Sequence, residues 1–237
     1  MRKLTATLCL TLAVLLGSVG MSAGADFQKG LTAYKSGDYA TALREWKPLA
    51  KQGHAKSQYN LGVMYRDGQG VTQDYKTAVE WFRLAAKQEF ASAQFILGLM
   101  YFNGKGVPQN YKTAVKWFRL AAKQGHAKSQ YNLGVMYQKG QGVPQDYKTA
   151  VKWYRLAAKK GHALSQGKLS VIYALGKGVI KDLVYAHMWG NIAATNGNKL
   201  GAKVRYSVAK KMTPSQIEEA KNFSVNVSVR NTKGVEL

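Results

Sequence analysis

The chain has 237 residues, with 35 Lys and Arg against 12 Asp and Glu, four His and one Cys, for a formal charge of +23. A composition of 46% hydrophobic and 11% aromatic residues with only four Pro excludes a mainly disordered chain. The lone Cys9 excludes an intrachain disulfide framework and any cysteine-based zinc site.

Arg2 and Lys3 open the chain, and an apolar run from Leu4 to Leu16 follows, broken only by Thr5, Thr7 and Thr11. Ala23-Gly24-Ala25 then precedes Asp26. A basic start, a short apolar middle and an A-x-A end form the pattern of a secretory signal peptide, here residues 1–25. The alternative, an uncleaved anchor, is opposed by a run shorter than the ~18 apolar residues a spanning helix needs. Cys9 lies inside the run, away from the position where a lipid would attach. The expectation is an exported protein, periplasmic rather than secreted. Residues 26–37 follow as a short capping helix, Phe27 to Ser36, able to cover the first repeat.

Self-similarity dominates what comes next. Tyr75-Lys-Thr-Ala-Val-Glu-Trp81 returns as Tyr111-Lys-Thr-Ala-Val-Lys-Trp117 and Tyr147-Lys-Thr-Ala-Val-Lys-Trp153, a period of 36 residues. The run His54–Tyr65 is repeated letter for letter at His126–Tyr137. A first copy begins at Tyr39 and a degenerate fifth at Leu183. A fixed period of this length implies stacked supersecondary units. Each unit reads as two helices. Tyr111 to Gln124 carries a broad apolar stripe, and Asp38, Asp74, Asn110, Asp146 and Asp182 stand where an N-cap accepts from the first turn. Gly53, Gly125 and Gly161 close this helix in a left-handed conformation, with Glu89 in their place in the second copy. The other helix runs from about Ala127 to Tyr137. Its mid-helix Gly62, Gly98 and Gly134 cost about 1 kcal/mol each relative to Ala, which predicts a close helix–helix approach.

The pattern A-x-x-x-x-x-L-G-x-x-Y-x-x-G-x-G-V, as Ala127, Leu133, Gly134, Tyr137, Gly140, Gly142 and Val143, is completed by Asp146, Ala150, Trp153, Ala157, Ala158 and Gly161. It resembles the Sel-one-like repeat family, a relative of the tetratricopeptide repeats. The resemblance covers residues 38–198 and implies an all-α solenoid of stacked antiparallel helix pairs. Trp46 aligns with Phe82 rather than with Trp81, and the fourth copy has Ser170 for the helix Gly and Ile180 for the turn Pro. After Leu183, helices are predicted over Tyr185–Thr195 and Leu200–Met212. Thr213-Pro214-Ser215-Gln216 is a capping box starting a last helix to about Asn222. Residues 199–223 thus form C-terminal caps, and 224–237 a flexible tail.

Several motifs resemble catalytic or ligand signatures. Gly68-Gln-Gly70, Gly104-Lys-Gly106, Gly140-Gln-Gly142 and Gly176-Lys-Gly178 look like phosphate loops, but none follows a strand and all recur at the repeat period, so they read as turns. His54, His126 and His162 occupy one repeat position and should lie ~10 Å apart in stacked helices, too far to converge on a zinc ion. No cofactor, metal or small-molecule substrate is expected, and no catalytic residues. The family includes cysteine-rich members linked to β-lactam chemistry; this chain lacks those cysteines, and the activity is not carried over.

Two faces remain. On the Trp-bearing helix, Lys76-Glu80-Arg83-Lys87, Lys112-Lys116-Arg119-Lys123 and Lys148-Lys152-Arg155-Lys159 fall on one side, extended by Arg44, Lys47 and Lys51. Glu80 is the single acid, and a one-sign field favours an anionic partner such as acidic lipid, lipopolysaccharide or cell-wall polymer. Nucleic acid is not expected, given the predicted export. On the other helix, the resemblance to tetratricopeptide architecture implies a concave groove. It would be lined by Tyr59, Phe95 and Tyr131, with Val63, Leu99 and Val135 one turn on and Lys56, Lys128 and Arg66 at its edge. An aromatic row framed by cations suits an extended peptide or partner helix. The expected function is a non-enzymatic scaffold using that groove, with the basic face as the alternative.

Overall fold

A computed structural model describes residues 24–233, with side chains described through Val225. The expected signal peptide lies outside the described residues, apart from Gly24 and Ala25. Among the described residues every regular element is a helix: α1 (Phe27–Lys35), α2 (Tyr39–Lys51), α3 (Ala55–Asp67), α4 (Tyr75–Lys87), α5 (Ala91–Asn103), α6 (Tyr111–Lys123), α7 (Ala127–Lys139), α8 (Tyr147–Lys159), α9 (Ala163–Leu175), α10 (Leu183–Thr195), α11 (Lys199–Ala209) and α12 (Pro214–Lys233).

The caps follow the sequence. Asp74 accepts from the N–H groups of Lys76 and Thr77, and Asp38, Asn110, Asp146 and Asp182 each accept from the N–H three residues on. Glu89 adopts φ 60° where the other units place Gly. The Gly-x-Gly segments are turns. Gly104 ends α5 in a left-handed conformation, and Gly106 lies so close over the backbone of Tyr75 that a Cβ would collide with it.

The mid-helix glycines mark close helix–helix contacts. A Cβ on Gly62 would sit 2.7 Å from the Phe82 ring; on Gly98, 2.5 Å from Phe118; on Gly134, 2.5 Å from Tyr154. These rings are fully buried, as is Trp46, whereas Trp81, Trp117 and Trp153 are half-buried and pack on the core of the preceding unit. Trp46 therefore holds the Phe82 position, as the sequence alignment has it. In the next copy the sizes are exchanged: Ser170 stands for the glycine and Gly190 for the ring. Gly190 instead admits α11, whose Gly201 carbonyl lies 2.9 Å from where its Cβ would be.

Helices α1 to α11 pack mainly on their chain neighbours, α12 packs on α10, and α3 lies on α4, α5 on α6, α7 on α8 and α9 on α10 more extensively than across the intervening boundaries. The repeating unit is thus a pair beginning at α3, α5, α7 or α9. Helix α1 goes beyond its expected capping role. Gly30 faces Trp46 as Gly62 faces Phe82, so α1 and α2 form a shortened unit in which the Gly-x-Gly turn is absent.

Buried glutamines fix the spacing between units. Gln58, Gln94, Gln130 and Gln166 donate to the carbonyls of Ala50, Ala86, Ala122 and Ala158 at 3.0–3.2 Å. The Oε1 atoms of Gln58, Gln94 and Gln166 accept from Gln88, Gln124 and Asn196, each at 2.8 Å. Lys160 occupies the corresponding position in the third unit, and Gln130 Oε1 is left buried without a protein partner.

The last helix departs from expectation. It does not stop near Asn222 but continues to Lys233, replacing most of the expected flexible tail. No Gly or Pro interrupts it before Gly234, and Ala220 and Ser224 are buried one turn apart. Ser224 Oγ accepts from Asn191 at 2.9 Å, so packing on α10 carries the helix past the expected end. The Thr213–Gln216 capping box forms as read, with reciprocal bonds of 3.0 and 3.2 Å.

Candidate binding groove and outer basic face

The groove residues lie on α3, α5 and α7, and all six apolar members are half-buried. Each aromatic is partly committed to stacking. Tyr59 packs on Phe90 with ring centroids 5.1 Å apart, Phe95 on His126 at 4.8 Å and Tyr131 on His162 at 5.0 Å. Phe27 on His54, at 5.0 Å, is the same contact in the shortened first unit. Their other edges face Phe82, Phe118 and Tyr154. The row therefore joins successive units, and each ring stays only partly exposed. At the fourth position Gly167 leaves room for Asn198.

Phe90, His126 and His162 immediately precede α5, α7 and α9. The Nδ1 atoms of His54, His126 and His162 pair with Ser57, Ser129 and Ser165 at 2.8–3.0 Å. In the second unit the same positions are Phe90 and Ala93, an apolar substitute for the polar pair. Burial, with a smaller contribution from the Lys128 charge, lowers the pKa of His126 and His162 below the usual imidazole value. Among the described residues no group of three or more His, Cys, Asp or Glu is gathered as a metal site would require.

Two recesses open on this surface. The larger, ~430 Å³, is lined by Tyr59, Ser92, Phe95, Ile96, His126, Ala127 and Lys128, and so spans three successive units. The smaller, ~160 Å³, is lined by Arg66, Ile96, Leu99, Met100, Asn103 and Lys105. Of the predicted residues, Tyr59, Phe95 and Lys128 come together in the first and Arg66 and Leu99 in the second. Val63 and Val135 pack against the cores, and Tyr131 and Lys56 border neither recess. The Arg66 guanidinium is engaged by Asp67 through two 2.6 Å hydrogen bonds, so its charge is largely neutralised locally. Sequence reasoning missed Ile96, which lines both recesses. Its signal was present, because Asn60 and Asn132 hold that position in the neighbouring copies.

The outer face is assembled by α4, α6 and α8. Lys76, Lys87, Lys112, Lys116, Lys123, Lys148, Lys152 and Lys159 are exposed. The arginines have an additional role. Arg83 donates to the Tyr101 hydroxyl at 2.7 Å, Arg119 to Tyr137 at 2.9 Å and Arg155 to Tyr173, each tying one unit to the next. A feature absent from the sequence expectation is a row of exposed leucines among these cations: Leu84, Leu120 and Leu156, at 42, 45 and 44% exposure.

Comparison with known proteins agrees with this architecture. The Sel1 repeat model matches residues 55–90, 91–126, 127–162 and 163–198, the pair boundaries seen in the packing. A crystal structure of a protective antigen present in uropathogenic Escherichia coli strains, with an SLR fold, is 33% identical with a TM-score of 0.75. The alignment covers 84% of this chain and 45% of that one. A Sel1 repeat protein from Oxalobacter formigenes is 31% identical with a TM-score of 0.74, over 87% and 85% of the two chains. A Rhizobium leguminosarum bv. viciae exopolysaccharide production negative regulator is 43% identical over 47 residues, 20% of this chain and 18% of that protein. This chain thus spans less than half of the antigen and under a fifth of the regulator. Four matched units over most of the helical array, in register with the observed helix pairs, show that the chain belongs to the Sel1 repeat family.

Proposed function

We propose that this protein is an exported, non-enzymatic scaffold that holds an extended peptide segment in the groove of α3, α5 and α7. Sel1 repeat solenoids commonly serve as protein-interaction scaffolds. The observation carrying the specific reading is the recess that three consecutive units build around Ile96, with the partly exposed rings of Tyr59 and Phe95 and the Lys128 cation at its border. A segment with one aliphatic or aromatic anchor beside acidic residues matches it, because apolar burial supplies affinity and Lys128 sets orientation. Export rests on the pattern of residues 1–25. N-terminal sequencing of protein from fractionated cells tests it: the expected product begins at Asp26 in the periplasmic fraction, and an intact N-terminus in the cytosol contradicts export.

The groove is tested with Ile96→Asn combined with Lys128→Glu. Asn already occupies the Ile96 position in two sister units, so the fold tolerates it. A partner cross-linked in envelope extract and then measured as purified protein should bind the variant about tenfold or more weakly. Unchanged affinity rejects the groove. Replacing Tyr59, Phe95 and Tyr131 by Ala would be a poorer test, because it also removes stacking between units.

A further inference from the structure

The outer face carries more than charge. Leu120 sits between Lys116 and Lys123 on α6, and Leu156 between Lys152 and Lys159 on α8, at helical spacings that put them on one side. Leu84 lies one period earlier, beside Arg83 and Lys87. The half-buried Trp117 and Trp153 each pack on the preceding unit's core, which seats each outer helix against the unit before it, and the 36-residue period brings a leucine to the same helical position each time. The Arg–Tyr bonds hold the same register.

We infer that this face docks on an anionic lipid bilayer, the lysines meeting headgroup phosphates and the leucine row entering the interface. The charge complementarity is direct: α6 and α8 together present eight cations and no acid on this side. The leucines select among anionic partners. A soluble polyanion offers nothing to an exposed isobutyl group, whereas a bilayer places apolar depth directly behind its anionic layer. Each leucine is already more than 40% exposed, so its truncation leaves the helix pairs intact. This binding is independent of the groove, which lies on α3, α5 and α7.

Sedimentation with vesicles tests it, using phosphatidylcholine vesicles with and without phosphatidylglycerol. The full chain should bind only the anionic vesicles and be released as salt shortens the Debye length. Leu84→Gln with Leu120→Gln and Leu156→Gln should weaken binding about tenfold or more, with unchanged circular dichroism. Lys112→Gln with Lys116→Gln and Lys123→Gln should weaken it comparably. The full chain and its variants share one N-terminus, so their differences report this face. Ile96→Asn with Lys128→Glu should bind vesicles as the parent does. Failure to bind anionic vesicles overturns the inference. So does a leucine variant that binds them undiminished, or equal binding to soluble polyphosphate that competes fully with vesicles; either result makes the face a plain polyanion site.

Discussion

Gln58, Gln94 and Gln166 each donate to one carbonyl and accept from a side chain 30 residues further on, while Gln130 completes only the first of these bonds. The difference is one residue, Lys160, whose Nζ instead lies over Gly125. Lys160→Gln should restore the missing donor and raise stability by about 1 kcal/mol, read as a higher urea midpoint with unchanged m. The opposite sign is expected at Gly98. An added methyl would meet the buried Phe118 ring at 2.5 Å, so Gly98→Ala should cost about 2 kcal/mol by the same measurement. The mid-helix glycines were legible because their cost recurs in every full copy but one. The buried glutamine ladder was not, since Gln in a basic helical sequence looks like a surface residue until its partner 30 residues away is placed beside it.

Among the elements, the helix starts show how one position can be built in two chemistries. His126 with Ser129 and His162 with Ser165 are polar pairs under an aromatic ring; Phe90 with Ala93 is the apolar version. Burial holds His126 and His162 below the ordinary imidazole pKa. A base whose folded pKa is depressed binds fewer protons folded than unfolded, so its stability contribution is complete above ~6.5 and is lost as pH falls toward the folded value. His187 on α10, lowered mainly by burial and further by Arg205 and Lys221, adds to the same loss. Asp74 and Asp146, lowered by their bonds from Thr77 and Thr149, lose their contribution only at more acid pH. Thermal melts should therefore weaken as pH falls below ~6.5, ahead of carboxylate titration. The combination His126→Phe, Ser129→Ala, His162→Phe and Ser165→Ala should flatten that slope and leave the His187 share. An unchanged slope would remove these histidines from the account. Helix α12 marks a limit of local reading: the sequence predicts a helix ending near Asn222 and a flexible tail beyond it, whereas burial of Ala220 and Ser224 carries the helix onward.

At the scale of the whole molecule, substantial packing among the described residues is confined to helices that are neighbours, or next but one, along the chain. Such an object is longer than a sphere of equal mass. A compact globule of this size would have a radius of gyration of about 17 Å, and solution scattering should give a clearly larger value with a rod-like distance distribution. A value at the globular limit would contradict the stacked arrangement and both surfaces built on it. The same linearity makes stability a sum over units and their boundaries, so damage at Gly98 should be felt chiefly by α5 and α6 and their neighbours.

The repeat period, the two helices per unit, their caps and their glycine contacts were determined by sequence alone, because they follow from local hydrogen bonding and from a pattern written several times over. The same repetition placed the lysines and the aromatic row on opposite kinds of helix. Tertiary structure decided what no single copy contains: how much of each ring is used in stacking, that Arg66 is held by Asp67, that Ile96 lies where three units meet, and that three leucines stay exposed among the cations. The physical reason is that residue exposure in a solenoid is set by the neighbouring unit, and a surface shared by several units exists only after they have stacked.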